Sequence, residues 1–359
     1  MAAYTNINDP SAHFQVATYA GDSSNSTVIT NGGNSDLQPD LVWIKNRTLA
    51  GGGSSNHMLF NSNVGIGTGA NSPYLMTDSN APETTNSNGL QAVSSNGFTP
   101  GSMTRTNETN SNFVAWQWKA NGGTTSSNTD GDITSTVQAN TDAGFSIVTY
   151  QGNTSNNQTV GHGLGAVPSC IIIRNRTRTE DFRLNYNHVN SGTGMIRLNS
   201  TDSYNTTGTT LMNVAATSSV FNISTDWSVN GNYPFIAYCW AEKQGYSKFG
   251  SYIGNADANG PFVYTGFKPA WVMIKVNGTD DWYIFDHKRA GYNPEVFRLR
   301  ANTTDAETTG TNNTVDHLSN GFKLRFTGGS MNGSGSTYFY MAFAENPLVT
   351  STGVPTTAR

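Results

Sequence analysis

One loop segment, Phe285-Asp286-His287-Lys288-Arg289-Ala290-Gly291, groups a carboxylate, an imidazole and two cations within four consecutive positions. Such a set could grip a polar ligand through charge-assisted hydrogen bonds. The plainer alternative is a solvated turn closed by a local ion pair, and the residues alone favour it. Of the seven tryptophans, Trp43, Trp116, Trp118, Trp240, Trp271 and Trp282 fall in strand-like runs and read as core. Trp227, in Thr225-Asp226-Trp227-Ser228, lies in a less regular stretch and is the one expected to be exposed, able to stack on a sugar face. The candidate ligand contacts are therefore Asp286, His287, Arg289 and Trp227.

Other chemistries lack their patterns. No two of the six histidines have i, i+4 spacing around a glutamate, and there is no G-x-S-x-G elbow, P-loop or Cys/His zinc spacing. Asp130-Gly131-Asp132 lacks the spacing and terminal glutamate of a calcium loop and reads as a turn. No catalytic residue, metal or cofactor is assigned. Glu108, Asp181, Asp281, Glu295 and Glu345 are scattered, so a carboxylate pair able to cleave a glycan stays open as an alternative. Cys170 and Cys239 read as two buried thiols, with a pairing across two sheets as the other option.

The elements that must position these residues are strands. Pro39-Asp40-Leu41-Val42-Trp43-Ile44-Lys45-Asn46-Arg47 returns as Pro168-Ser169-Cys170-Ile171-Ile172-Ile173-Arg174-Asn175-Arg176, and more loosely as Pro269-Ala270-Trp271-Val272-Met273-Ile274-Lys275-Val276-Asn277. A proline that cannot donate to a ladder opens each copy, and a short run of β-formers follows. The cation is expected to end the strand in water. Lys45-Asn46-Arg47-Thr48 and Arg174-Asn175-Arg176-Thr177 could hold a sugar acid; their reuse favours a strand end that ties down the next loop. Around these anchors the chain divides into an N-terminal arm (1–12), repeats over 13–123, 144–246 and 247–347, a Gly/Thr/Ser/Asn-rich linker (124–143) and a C-terminal tail (348–359). Val114, Trp116 and Trp118 share one strand face, with Phe113, Ala115 and Gln117 on the other. Each repeat is on the order of 100 residues, the size of one sandwich. The expected fold is all-β, three tandem antiparallel β-sandwich repeats.

Charged residues make up 12% of the chain, about half the usual ~25%. The net charge of −4 gives no footprint for nucleic acid. No apolar run is long enough to span a membrane and the first residues do not read as a secretory signal, so synthesis in the cytosol without a signal peptide is expected.

The opening Ile7-Asn8-Asp9-Pro10-Ser11-Ala12-His13-Phe14, the first anchor, Val114-Ala115-Trp116-Gln117-Trp118-Lys119-Ala120, Asp142-Ala143-Gly144-Phe145-Ser146-Ile147-Val148 and Val160-Gly161-His162-Gly163-Leu164-Gly165 together resemble a family of virion structural proteins from marine bacteriophages. The likeness covers the first two repeats well and the third less well. It implies jelly-roll or concanavalin-like sandwich modules and a tail-fibre or receptor-binding role at the surface of the particle. The implied partners are other virion proteins, further copies of the chain (a trimer among the options) and host surface polysaccharide. A capsid decoration or head-fibre protein, and a polysaccharide depolymerase, are the rival readings. The family's Phe-Asp-x-x-Arg-Gly-like turn is similar to Phe285–Gly291, and Phe60-Asn61-Ser62-Asn63-Val64-Gly65 lacks both charges.

Overall fold

The proline-led runs become the central strands of three large sheets: Leu41–Asn46, Cys170–Asn175 and Phe267–Val276. In the computed structural model, which describes residues 5–48, 55–67, 71–205, 212–310 and 314–356, the chain is all-β and its sheets are antiparallel. Each anchor strand pairs on one side with a short strand that follows it: Met58–Asn61, Arg183–Tyr186 or Tyr283–Asp286. On its other side runs the last strand of the same segment: Asn112–Trp118, Pro234–Trp240 or Thr337–Pro347. Beyond that lies the first strand: Phe14–Ala20, Phe145–Gln151 or Ser247–Ile253. The registers coincide, with Leu41 opposite Trp118, Cys170 opposite Trp240 and Trp271 opposite Phe343. Pro269 sits at a register shift, where its missing N–H costs no ladder bond.

A smaller sheet covers the outer face of each large one. These are Ile29–Thr30 with Gly97–Pro100 and Leu90–Ser94, then Gln158–Gly161 with Val220–Ile223, then Phe262–Tyr264 with Gly321–Leu324 and Val315–Leu318. Gly97 turns the first of these hairpins at φ 123°, and a Cβ there would lie 2.0 Å from the Ile29 carbonyl oxygen. The anchor runs are apolar at every position because both their faces are buried. Val42 and Ile44 face outward, to a cluster that includes Leu90 and Phe98. Leu41 and Trp43 face inward, and so do Val114, Trp116 and Trp118, as alternation along that strand predicts.

The inward faces of all three large sheets meet in one core. It contains Trp43, Trp116 and Trp118 of the first segment, Ile172, Tyr238 and Trp240 of the second, and Trp271, Met341 and Phe343 of the third. Trp118 lies 6.2 Å from Trp240 and 5.4 Å from Phe343, ring centre to ring centre. Outside this shared core, the outer-face clusters are separate. The segments therefore do not follow one another like beads in a row. They close into a ring, each touching both of the others.

The ring is braced by polar contacts at equivalent positions. Between the first and second segments, Arg176 pairs with Glu83 at 2.6 Å and Asn61 donates to the Tyr238 hydroxyl. Between the third and first, Arg47 pairs with Glu307 at 2.7 Å and Trp116 donates to Asp286 at 3.0 Å. Between the second and third, the Asp280 amide and Trp282 indole donate to the Thr201 and Arg197 carbonyls. The three anchor cations lie at these joints, fully buried, which corrects the expectation that they end in water. Lys45 donates to the Ser55 carbonyl; Arg174 donates to those of Glu180 and Ala81; Lys275 donates to those of Gly278 and Thr201. Backbone oxygens replace water around each cation without a full counter-charge, and burial pushes Lys45 and Lys275 down to about 8 and Arg174 down to about 10. The neighbouring Asn46 and Asn175 do tie down the next turn, accepting from the Thr48 and Thr177 amides.

Further corrections concern the linker and the arms, while the two cysteines are buried thiols as expected. Within 124–143, Ser126–Asn128 and Ser135–Asn140 are strands that extend the second large sheet. Ser135, Val137 and Gln138 are buried there, so the polar composition hides a partly buried strand. The described parts of both arms fold back on the body. Thr5 donates to the Gln244 carbonyl, Ile7 enters the shared core, and Asn8 and Ser351 hydrogen-bond each other. Cys170 and Cys239 are free thiols on adjacent strands, facing the shared core and the outer-face core respectively.

Candidate functional site

The structure brings Asp286, His287 and Arg289 together, and puts two of them out of reach of solvent. Asp286 ends the strand Tyr283–Asp286, and its carboxylate accepts from the Lys288 and Arg289 amides, closing the turn. Its Oδ2 takes Arg289 Nε at 2.6 Å. Arg289 reaches on to Glu307 at 2.8 Å and to the Ile284 carbonyl. Burial would push the Asp286 carboxyl up; the Arg289 charge and the bonds from Trp116 and Arg289 outweigh that and hold it below its ordinary value. This is a structural knot between the third and first segments.

His287 points the other way. Its Nδ1 donates to the Ala270 carbonyl, which leaves Nε2 4.0 Å from Glu345 Oε1. Glu345 is held in turn by Lys268 at 2.7 Å. These three residues form one wall of an open cleft of about 1040 Å³ at the end of the third segment. The opposite wall comes from the turn between Val315–Leu318 and Gly321–Leu324, with His317 and Asn320, and from the loop carrying Tyr292, Asn293 and Glu295. That loop is fixed as an extra edge: Asn293 exchanges side-chain bonds with the His317 backbone, and Glu295 pairs with Val315. Tyr292 stands 66% exposed at the rim.

The chemistry of the cleft is unusual for so open a surface. His317 is buried and its Nε2 has no protein partner. Burial, with the His287 ring nearby, pushes it down to about 3, so the imidazole is neutral. Glu295 is also buried, with one oxygen accepting from the Phe297 amide. Burial pushes its carboxyl up to about 8, against the pull of Arg289. Of the five candidate carboxylates, Glu295 and Glu345 line this one cleft, while Asp181 and Asp281 are taken by arginines and Glu108 by Asn46 and Ser111. Among the described residues no group of three or more His, Cys, Asp or Glu side chains converges as a metal site.

One family profile matches residues 9–347, that of a domain of unknown function, DUF7483. The chain belongs to this family. No curated protein and no solved structure matches it. Among the described residues no helix is long and apolar enough to cross a membrane.

Trp227 stands apart from the cleft, on the second segment. It opens the four-residue helix Trp227–Asn230, capped by Asp226, and is 57% exposed while the other six tryptophans are buried. The Arg178 guanidinium lies 5.2 Å from its ring and 5.0 Å from that of Tyr233, whose hydroxyl it also bonds. Sequence reasoning missed Glu307, Tyr292 and His317. The register gives the one signal that could have found His317: it stands opposite Phe322 where the first segment has Val93 opposite Phe98.

Proposed function

We propose that this protein is a non-enzymatic virion structural protein of a marine bacteriophage, an appendage or tail-fibre subunit that contacts glycan on the host surface. We read each large sheet with its small partner as one sandwich module of jelly-roll or concanavalin-like kind, so that three modules form the ring. The observation that carries the adhesin reading is the third module's cleft. It is open, rimmed by an exposed tyrosine and lined by hydrogen-bonding side chains, on a body braced at every joint. A rigid scaffold that presents polar loops suits many weak, wet contacts. Other virion proteins would hold the body at the particle surface, which it would reach by assembly in the host cytoplasm. The test is competition. Purified protein, added to host cells before the virus, should bind saturably and block adsorption. A folded protein that neither pelleted with cells nor slowed adsorption would overturn the adhesin reading. A decoration or head-fibre role is favoured by a different observation: one chain alone supplies a three-fold arrangement, which fits a seat on a three-fold axis of a particle. Labelled protein that bound particles stoichiometrically and not cells would select it.

A further inference from the structure

We infer that the cleft between Tyr292, His317 and Glu345 is the saccharide-binding site, taking a hydroxyl-rich sugar unit with Tyr292 as its stacking platform and His317, Asn293 and Asn320 as hydrogen-bonding partners. The inference rests on the adhesin reading for its biological meaning and on three independent observations for its place.

The first is asymmetry within the ring. The registers make the three cleft positions equivalent: Lys268 corresponds to Gln38 and Val167, and Glu345 to Ala120 and Glu242. His317 corresponds to Val93 of the first module. A purely structural end would work with the residues the first module carries: Gln38, Ala120 and Val93. The third module puts hydrogen-bonding groups where the first has Val93 and Ala120 and a cation where it has Gln38, and the second module shares only the glutamate, as Glu242. The second observation is the His317 Nε2, a buried ring nitrogen with no protein partner in the wall of the cleft. Leaving such an atom unsatisfied costs about 1–3 kcal/mol; the nitrogen is closed to solvent, so a sugar hydroxyl would reach it through a shift of the ring toward the cleft that the ring lines. The third is the rim. Tyr292 exposes most of its ring at the mouth, beside a cleft wide enough for a sugar unit and its neighbour. An aromatic face beside converging polar groups suits a pyranose, which is apolar on its C–H face and polar at its edge.

Charge does not bar an acidic ligand. Lys268 is neutralised by Glu345. Glu295, being protonated at neutral pH, offers a donor instead of a repelling carboxylate. The cleft therefore has no net acidic character, and neutral and acidic sugars are both admitted.

The test uses the full chain against an array of neutral, amino and uronic-acid oligosaccharides, followed by titration of whichever binds. The variants are Tyr292→Ala, His317→Val and, as a control on the other exposed aromatic, Trp227→Ala. Tyr292→Ala and His317→Val should each weaken binding by about tenfold or more, as truncating a central contact does. Trp227→Ala should leave it unchanged. Tyr292 is exposed, so its truncation leaves the core intact even if His317→Val lowers stability; thermal melting checks each variant. A saccharide that binds wild type and Tyr292→Ala alike, or loses affinity in Trp227→Ala instead, would place the site elsewhere. No binding across the array would overturn the inference. The adsorption assay separates the two levels: wild type and Tyr292→Ala blocking the virus equally would sink the cleft and spare the adhesin, whereas array binding without adsorption block would do the reverse.

Discussion

Replacing Asp286 by asparagine should loosen the whole ring, because that carboxylate joins the third module to the first. The change is nearly isosteric, and Asn61 already occupies the equivalent position in the first module, where it bonds Tyr238 across the next joint. What is lost is charge and one acceptor: two donors meet each carboxylate oxygen, so the asparagine NH2 faces two of them whichever way it turns. Removing one partner of a buried pair costs about 3–5 kcal/mol. Arg289 keeps Glu307 at 2.8 Å and the Ile284 carbonyl, but an asparagine whose oxygen accepts from Trp116 turns its NH2 on the Lys288 and Arg289 amides, so the upper end, about 5 kcal/mol, is expected. Trp116→Phe alone removes one hydrogen bond to a charged group, worth ~1.5–3 kcal/mol. The double variant should lose less than the sum, because the two changes share a partner. Guanidinium denaturation followed by tryptophan fluorescence and by far-UV circular dichroism measures both terms. The shared core further requires that the two probes move together in one transition. A loss below about 1 kcal/mol would show the knot to be unimportant. Separate transitions, with only one shifted, would refute the single core.

Three other outcomes follow from buried groups. Glu295 has its folded pKa raised from 4.5 to about 8, so its contribution is full at acid pH and is lost as pH rises through that window. Glu295→Gln should therefore stabilise the protein by up to ~3 kcal/mol at pH 7 and by nothing near pH 4; a pH-independent difference would contradict the assignment. The same protein, wild type, should release no reducing ends from any saccharide it binds, and release abolished by Glu295→Gln would instead establish a depolymerase. Burial pushes both thiols up, so Cys170 and Cys239 should resist a thiol reagent at pH 8 until the protein is unfolded, when both should react.

What the sequence revealed follows from which forces are local. Apolar runs led by proline, and the alternation of Val114, Trp116 and Trp118, are read correctly because strand periodicity is written into neighbouring residues. Trp227 is legible as exposed for the same reason: it falls outside any such run. The fate of the anchor cations is not legible. Lys45, Arg174 and Lys275 look like strand ends in water, yet carbonyls near the joints satisfy them, some from an adjoining module, as with Ala81 for Arg174 and Thr201 for Lys275. Nor can composition distinguish a linker from a polar strand such as Ser135–Asn140, whose buried residues are Ser135, Val137 and Gln138 instead of a plain apolar run. The Asp286 turn was visible as chemistry, but its partners Glu307 and Trp116 lie 21 and 170 positions away in the chain. Its burial could not be inferred from Phe285–Gly291 alone.

The ring also bears on assembly. A fibre subunit lacking a coiled-coil segment would have to associate through sheet faces, and here those faces are used. Each large sheet is covered inward by the other two modules and outward by its small sheet. What remains for self-association among the described residues is edge strands and polar loops, with exposed large apolar residues such as Ile253, Phe262 and Tyr264 few. The pseudo-three-fold body is thus what a trimer of single modules would be, with its three copies joined in one chain. Duplication within a chain frees the copies to diverge, which a true trimer forbids. The third module carries His317 and Glu345 where the first has Val93 and Ala120, while the second has Glu242 at the latter position. Light scattering should accordingly report 38.5 kDa, the mass of one chain, at micromolar concentration. A stable trimer would mean that the edges and loops, not the faces, carry the interface.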